Sequence, residues 1–383
     1  MSALRLAVYS DHSYRRTAAG VYTDRAFILF LGGIARSVDR LVLAGQLRPD
    51  LPGAHYRVPE EIEFAPLPTY PSLMDPAAVP AMARSLRAFW RLLDEVDSVW
   101  LLGPHPLCLV FALLAWLRRR KVALGVRQDF PAYVRSRHPG RRAVHAAGDL
   151  LERAYRLLAR RFPTVVVGPE IARHYGRARR LLAISVSLVR EADVASAEEA
   201  RARVRPEGPL TVLSVGRLET EKNPLMLADV AARLGAGWRL VVCGEGPLAG
   251  ELRARADSFG VADRLTLRGY MPLDGGLMDL YRSADAVLHV SHTEGVPQIL
   301  FEAFAAGTPV VATAVGGVAE AVGDAALLIP PADPDAAARA LERLAEEPGL
   351  AWKLAERGLK RVRTRTLEFE SARVAPFLKQ ENG

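Results

Sequence analysis

Two acids eight positions apart, Glu294 and Glu302, stand in the stretch HTEGVPQILFE, with a Gly-Val-Pro joint after the first. The preceding run, DAVLHVS, reads as a strand and HTEGV as the loop at its carboxyl end. PQILFEAFAAG reads as a helix with Pro297 at its first position and Gly307 as its C-cap. At a rise of about 1.5 Å per residue the two carboxylates lie on the order of 10 Å apart. That is too far for the roughly 5 Å pair of a retaining glycosidase, and it suits two acids holding opposite ends of one elongated ligand. Between them Gln298, Ile299 and Leu300 offer free backbone N–H groups at the positive end of the helix. Hydroxyls at both ends and phosphate in the middle describe a nucleoside diphosphate sugar.

A second stretch, TVLSVGRLETEKNPLMLADVAARL, reads as a strand ending at Gly216, a polar loop, and a helix with Asn223 as N-cap and Pro224 at the first position. Arg217 and Lys222 then add their charge to a helix N-terminus, a seat for phosphate. Lys222 is one of five lysines in a chain whose other basic residues are arginine, so arginine-rich composition does not account for it. A third stretch, VVCGEGPLAGEL, places Gly244, Gly246 and Gly250 between a strand and a helix, as a dinucleotide fingerprint does. The acid expected about 20 residues on is missing, since RLTLRG ends in Arg268. A tight turn beside some nucleotide fits better than NAD(P). His105, in GPHPLC beyond a further strand, is a candidate for the same cleft.

The elements that must position these residues alternate along the chain. Strand-like runs LRLAVYS, DRLVLAG, SVWLLG, KVALGV, TVVVG and LLAISV form one series; LTVLSVG, RLVVCG, RLTLRG, DAVLHVS, PVVAT and ALLIP form another, with helical patterns between. At 383 residues, two domains are expected. The fold class is α/β, two doubly wound Rossmann-like domains facing across a cleft. The first covers 1–187, joined by a C-terminal helix of about 362–383, and the second 188–361. Cys108 and Cys243 sit in apolar runs and read as core residues, not as a disulfide or a metal site. No Asp-x-Asp lies near the phosphate loops, so neither metal nor cofactor is expected.

The N-terminus enters a strand at once and lacks a signal-peptide plan. The run LCLVFALLAWL falls short of the roughly 20 residues of a spanning helix and reads as a buried helix, so a cytoplasmic protein is expected. Net charge is +8. From Arg118 to Arg190 many arginines face only Asp129, Asp149, Glu152 and Glu170, which points to an anionic partner. The basic residues of 118–180 recur at helical spacing beside Leu, Val and Tyr, as for peripheral contact with the anionic inner face of the cell membrane. No recognition motif or aromatic interleaving suggests nucleic acid.

GRLETEKN, CGEGPLAGEL, LRGYMP and HTEGVPQILFEAFAAGTPVVATAVGGVAEAV together resemble the retaining glycosyltransferases of family four, the group 1 glycosyltransferases of GT-B fold. The resemblance covers most of residues 210–330. It implies transfer of a sugar from a UDP-, GDP- or ADP-sugar to an acceptor hydroxyl with retention, a lipid-linked or cell-envelope glycan being one candidate acceptor. By it Arg217 and Lys222 hold the β-phosphate, Glu302 the ribose hydroxyls and Glu294 the donor sugar. Tyr270 and Met271 border the base, and Gly20 in AAGVY matches the glycine loop that approaches the donor phosphates. Where relatives often show a histidine after the KVALGV-type strand, this chain has Arg127, Gln128 and Asp129. Gln128 and Asp129 join His105 as acceptor-side candidates. The alternatives are a sugar-nucleotide epimerase of the same fold, an NAD(P)-dependent Rossmann oxidoreductase, and a non-catalytic sugar-nucleotide binding protein.

Overall fold

The computed structural model describes residues 4–51, 53–70, 78–138, 140–202, 208–347 and 349–379. The chain divides into two compact units, residues 1–186 with 368–383, and residues 187–367.

In the first unit the strands are β1 (Arg5–Thr17), β2 (Gly20–Thr23), β3 (Arg40–Leu47), β4 (Tyr56–Arg57), β5 (Ile62–Leu67), β6 (Ser98–Gly103), β7 (Lys121–Val126), β8 (Thr164–Val167) and β9 (Leu181–Ile184). Seven of them run parallel in the order β5-β3-β1-β6-β7-β8-β9, while β2 and β4 add antiparallel beside the end of β1. The chain winds outward from β1 through β3 to β5, then restarts at β6 on the other side. Winding therefore reverses between β1 and β6, and ligands of open α/β sheets bind beyond the carboxyl ends at such a point. The register of β1 shifts between Tyr9 and Ser13, an irregularity of the kind that re-aims side chains. Sequence reading missed β2, β4 and β5. β5 lies at the sheet edge, where Pro66 and exposed Glu63 are tolerated but blur the strand pattern.

Helices α1 (Phe27–Ala35), α2 (Ala78–Leu92), α3 (Pro106–Leu117), α4 (Phe130–Arg137) and α5 (Arg142–Ala159) flank this sheet. Phe89 of α2, Phe111 of α3 and Tyr155 of α5 share a core with Tyr9, Leu101 and Leu124 of the strands. On the other face Ile28 and Leu31 of α1 pack with Val374 and Leu378 of the C-terminal helix Leu367–Lys379, which thus belongs to the first unit. The expectation that LCLVFALLAWL is a buried helix needs correction. Phe111, Ala112 and Ala115 of α3 are buried, but Val110, Leu113, Trp116 and Leu117 are exposed. A helix lying on a sheet buries one side only, however apolar its other side.

The second unit carries β10 (Leu210–Val215), β11 (Trp238–Cys243), β12 (Leu265–Gly269), β13 (Ala286–His289), β14 (Val310–Thr313) and β15 (Ala326–Ile329), all parallel, in the order β12-β11-β10-β13-β14-β15. Their near-continuous apolar runs are those of strands covered on both faces, and two separate cores flank the sheet. Winding reverses here between β10 and β13. Among the described residues no helix is long and apolar enough to cross a membrane.

Candidate active site

The loops beyond β10, β11, β13 and β14 meet at the second unit's switch point, backbone against backbone. The amide of Gly216 donates to the Cys243 carbonyl (3.0 Å), that of Leu218 to Glu245 (2.8 Å), and that of His292 to Glu221 (2.9 Å). A Cβ on Gly244 would stand 1.8 Å from the Gly216 carbonyl oxygen, and one on Gly316 1.8 Å from that of Glu294. Loop packing therefore accounts for Gly244 and, with a Cβ 2.5 Å from the Leu218 carbonyl oxygen, for Gly246, but not for Gly250, where a Cβ would meet open space. Gly316 also has φ +49°, a left-handed conformation that costs a side chain roughly 1–2 kcal/mol. Gly316→Ala is expected to displace the loop carrying Glu294 and to lower kcat at least about tenfold. Circular dichroism should show the fold retained; unchanged kcat would mean the loop need not sit where it does.

Two helix starts differ from expectation. Asn223 does not cap a helix through its side chain. It takes a left-handed conformation (φ 50°) at the end of a 3₁₀ turn, Thr220–Lys222, and the next helix begins at Met226. Pro297 is the N-cap of the helix Gln298–Ala305 and not its first residue, and Gly307, with φ +66°, lies one residue beyond the C-cap Ala306. The amide of Leu300 is not free, because it donates to the Pro297 carbonyl at 3.4 Å. Gln298 and Ile299 remain as first-turn amides.

Across the switch point the Lys222 ammonium donates to Glu294 Oε1 at 2.5 Å. The same oxygen receives the Ser291 hydroxyl at 2.7 Å and lies 3.0 Å from His289 Nε2. Burial pushes the Glu294 carboxyl pKa up, but the His289 hydrogen bond, the Lys222 charge and hydrogen bond, and the Ser291 hydroxyl outweigh it and bring it to about 2. Glu294 is thus a fixed anion, and Lys222 is a cation whose partner an arriving phosphate could share. These residues line a cavity of about 110 Å³ together with Gly216, Arg217, Gln298 and Ile299. His289 Nδ1 and Gln298 Oε1 are buried without a hydrogen-bond partner, and both residues belong to that lining. Arg217 is exposed and paired with Glu219 and, at 2.9 Å, with Glu221.

Glu302 is not in this wall. It is buried, and Tyr281, itself fully buried, donates its hydroxyl to Glu302 Oε2 at 2.8 Å. Burial raises its pKa to about 7, against a smaller downward pull from the Tyr281 hydrogen bond. The two acids therefore act oppositely on stability. Glu294, depressed, loses its contribution as pH falls from about 4.5 through about 2, whereas with Glu302, raised, stability falls as pH rises from about 4.5 through about 7. Glu302→Gln should consequently raise the unfolding midpoint by roughly 4 °C or more at pH 8 and change it little at pH 5. A lower midpoint at both pH values would show that the charged carboxylate stabilises the core.

Tyr270 donates its amide to Glu245 (3.3 Å), and Met271 Sδ lies 3.8 Å from Cys243 Sγ, beyond the β11 and β12 ends. Gly20 opens β2 of the first unit at φ +137°, beside the Arg57 side chain. His105 accepts the Leu107 amide through Nδ1 (3.2 Å), so it is the N-cap of α3, and it also lies 3.2 Å from the Tyr9 hydroxyl and 3.4 Å from that of Tyr70. Asp129 caps α4 by accepting the Ala132 amide (3.0 Å), and Gln128 is exposed.

The neighbour that sequence reading passed over, Arg127, bonds to Asp11 and His12 in the irregular part of β1. With His105 these residues gather where β1 shifts register and β6 and β7 end, around the first unit's switch point. Burial and the Arg127 charge lower the His12 pKa to about 3, and burial lowers that of His105, so both rings are neutral at pH 7. His289 and Ser291 were also missed. Their signal was present, as polar residues at alternate positions in a strand otherwise apolar.

Two doubly wound parallel-sheet units on one chain, one holding a paired lysine and glutamate at its switch point, define the class: a GT-B glycosyltransferase fold. Residues 196–361 match the family model of the group 1 glycosyl transferases. Similar solved structures include Anabaena HepE in complex with UDP (TM-score 0.71, 19% identity, covering 98% of this chain and 99% of that one). Another is sucrose-phosphate synthase from Thermosynechococcus elongatus (TM-score 0.70, 18% identity, 98% of each chain). Among curated proteins, the D-inositol 3-phosphate glycosyltransferase of Acidothermus cellulolyticus is 34% identical over 234 residues, 56% of this chain and 51% of that protein. That of Actinosynnema mirum is 41% identical over 161 residues, 38% of each. The chain thus spans about half the length, or less, of these curated relatives.

Proposed function

We propose that this protein transfers a sugar from a nucleoside diphosphate sugar to an acceptor hydroxyl, with retention and without a metal. The observation that carries the reading is the Lys222–Glu294 pair at the β10–β13 switch point, beside the first-turn amides of Gln298 and Ile299. Departure of the nucleoside diphosphate places growing charge on the β-phosphate. Lys222, Arg217 and the helix N-terminus oppose that charge where it develops. Glu294 then grips the donor sugar, Glu302 the ribose, and Tyr270 and Met271 border the base, with Gly216 and Gly244 letting the loops close on the phosphates. That the Anabaena fold relative is described with UDP, with UDP and glucose, and with UDP-glucose supports a sugar nucleotide as donor.

The second unit takes the donor and the first the acceptor in this reading. On the acceptor side His105, Gln128 and Asp129 were the sequence candidates. The geometry favours His105 with Asp11, His12 and Arg127, because these four gather around one switch point. The enzyme works in the cytoplasm, with residues 118–180 meeting an anionic membrane surface.

A thermal-shift screen of UDP-, GDP-, ADP- and TDP-sugars tests the donor, since a ligand at 100 times its Kd adds about 2.7 kcal/mol of stability. Stabilisation by none of them, together with stabilisation by NAD(P), would overturn the reading. Turnover should survive EDTA and respond little to Mg²⁺ or Mn²⁺; complete loss in chelator, restored by metal, would mean that a metal and not Lys222 offsets the leaving charge.

A further inference from the structure

The outer side of the α2, α3 and α5 layer combines two features that seldom share a surface without a partner. Among the described residues thirteen large hydrophobic side chains are exposed, and eight lie on this layer: two on α2, four on α3 and two on α5. Leu113 and Leu117 stand on one side of α3, and Leu150 and Leu157 recur one heptad apart on α5. Trp90 and Trp116 tie the layer together, the Arg118 guanidinium lying 4.1 Å from the Trp90 ring and that of Arg161 5.5 Å from Trp116. Contiguous exposed apolar surface of this kind marks an interaction site.

The charge on the layer is net positive, its carboxylates being paired, as Asp94 after α2 is with Arg118 at 2.8 Å. α2 and α3 carry no carboxylate, while α2 exposes Arg84, Arg87 and Arg91. The two acids of α5 are engaged, Asp149 with Arg135 (2.8 Å) and Glu152 with Arg156 (3.0 Å). At the end of α5 a cavity of about 280 Å³ is lined by Arg156, Arg160, Arg173, His174 and Arg177, with no carboxylate in its wall. Leu157 is exposed on the same turn of α5.

We propose that this face docks on an anionic lipid bilayer, its leucines and tryptophans entering the headgroup region and a lipid phosphate seated in the arginine-lined cavity. The proposal rests on the membrane reading of residues 118–180 given above and replaces a basic segment by one defined surface, two of whose three helices that segment does not contain. An apolar centre with tryptophan and arginine around it is what an interfacial contact requires, and among the described residues no helix is long and apolar enough to span. A second copy of the chain is a poorer occupant, because two such faces would oppose arginine to arginine.

The test uses the full chain and vesicles of phosphatidylglycerol and phosphatidylcholine, with pure phosphatidylcholine as control. Wild-type protein should co-sediment with the anionic vesicles at low salt, and brominated acyl chains should quench its tryptophan fluorescence. Leu113→Ser and Leu117→Ser should each lower the partition coefficient about tenfold with the unfolding midpoint unchanged, as both side chains are exposed. Arg160→Gln with Arg177→Gln should weaken binding to anionic vesicles only. Absence of wild-type binding overturns this face and the basic-segment reading together. Binding that the leucine changes do not diminish, with no quenching, overturns this face alone and leaves a purely electrostatic contact. A concentration-dependent dimer abolished by Leu113→Ser would assign the face to a second copy. Full release by inorganic phosphate at matched ionic strength would assign the cavity to a soluble anion, and each of these two outcomes overturns the proposal.

Discussion

Lys222→Ala is expected to lower kcat about 10²-fold or more, with a much smaller change in nucleoside diphosphate affinity. The effect is differential because the lysine meets a charge that grows during the reaction, and removing one preorganised stabiliser of that kind costs roughly 3–4 kcal/mol. Lys222 shares its charge with Glu294 at 2.5 Å. An incoming β-phosphate competes for the ammonium, and the pair keeps the ammonium aimed before the donor arrives. The substitution also removes one of the groups that hold Glu294 anionic, so the loss should exceed that of a remote surface cation. Lys222→Arg should recover part of the rate, since the charge remains while its point-like geometry does not. Single-turnover kinetics at saturating donor provide the measurement. A kcat within about threefold of wild type would remove Lys222 from the transition state, whatever its effect on binding.

How much of this was legible beforehand follows from the kind of signal each feature leaves. Parallel strands buried on both faces announce themselves as apolar runs, so all six strands of the second sheet were found. Edge strand β5 was not, because half of its surface faces water and it tolerates Pro66 and Glu63. The lysine and the acid were singled out from separate stretches, but their contact was not, since 72 residues of chain separate them. Only the strand order, with β10 beside β13, brings their loops together. Cap positions slipped by a residue or two. Asn223 supplies a left-handed turn residue and not a side-chain cap, and both roles favour the same amino acid. The Asp11–His12–Arg127 group left almost no trace, because it depends on an irregularity in β1 that no local pattern marks.

Glu294 and Glu302 should separate when each is replaced by glutamine, and the separation should be visible in pH dependence. Glu294, held near pKa 2, is ionised throughout the working range. Glu294→Gln should therefore lower kcat about 10²-fold while leaving the Kd for UDP or GDP within about threefold, if the acid touches only the sugar. Glu302 differs because burial brings its pKa to about 7. A carboxylate accepts from both hydroxyls of a ribose more strongly than a protonated carboxyl, one oxygen of which becomes a donor. Nucleotide binding should favour the ionised form, so affinity should fall as pH drops below about 7, by up to tenfold per unit. The phosphates of the ligand also titrate, near pH 6, and they contribute to any such slope. Glu302→Gln isolates the protein's share: it should weaken binding about tenfold at pH 8 and much less at pH 5.5, with the ligand's own titration common to both proteins. Isothermal calorimetry across that range gives the comparison. Parallel curves for wild type and Glu302→Gln, or equal weakening of UDP and GDP by both substitutions, would mean that the two acids do not divide the donor as proposed. The buried Tyr281–Glu302 pair would then be a feature of the core.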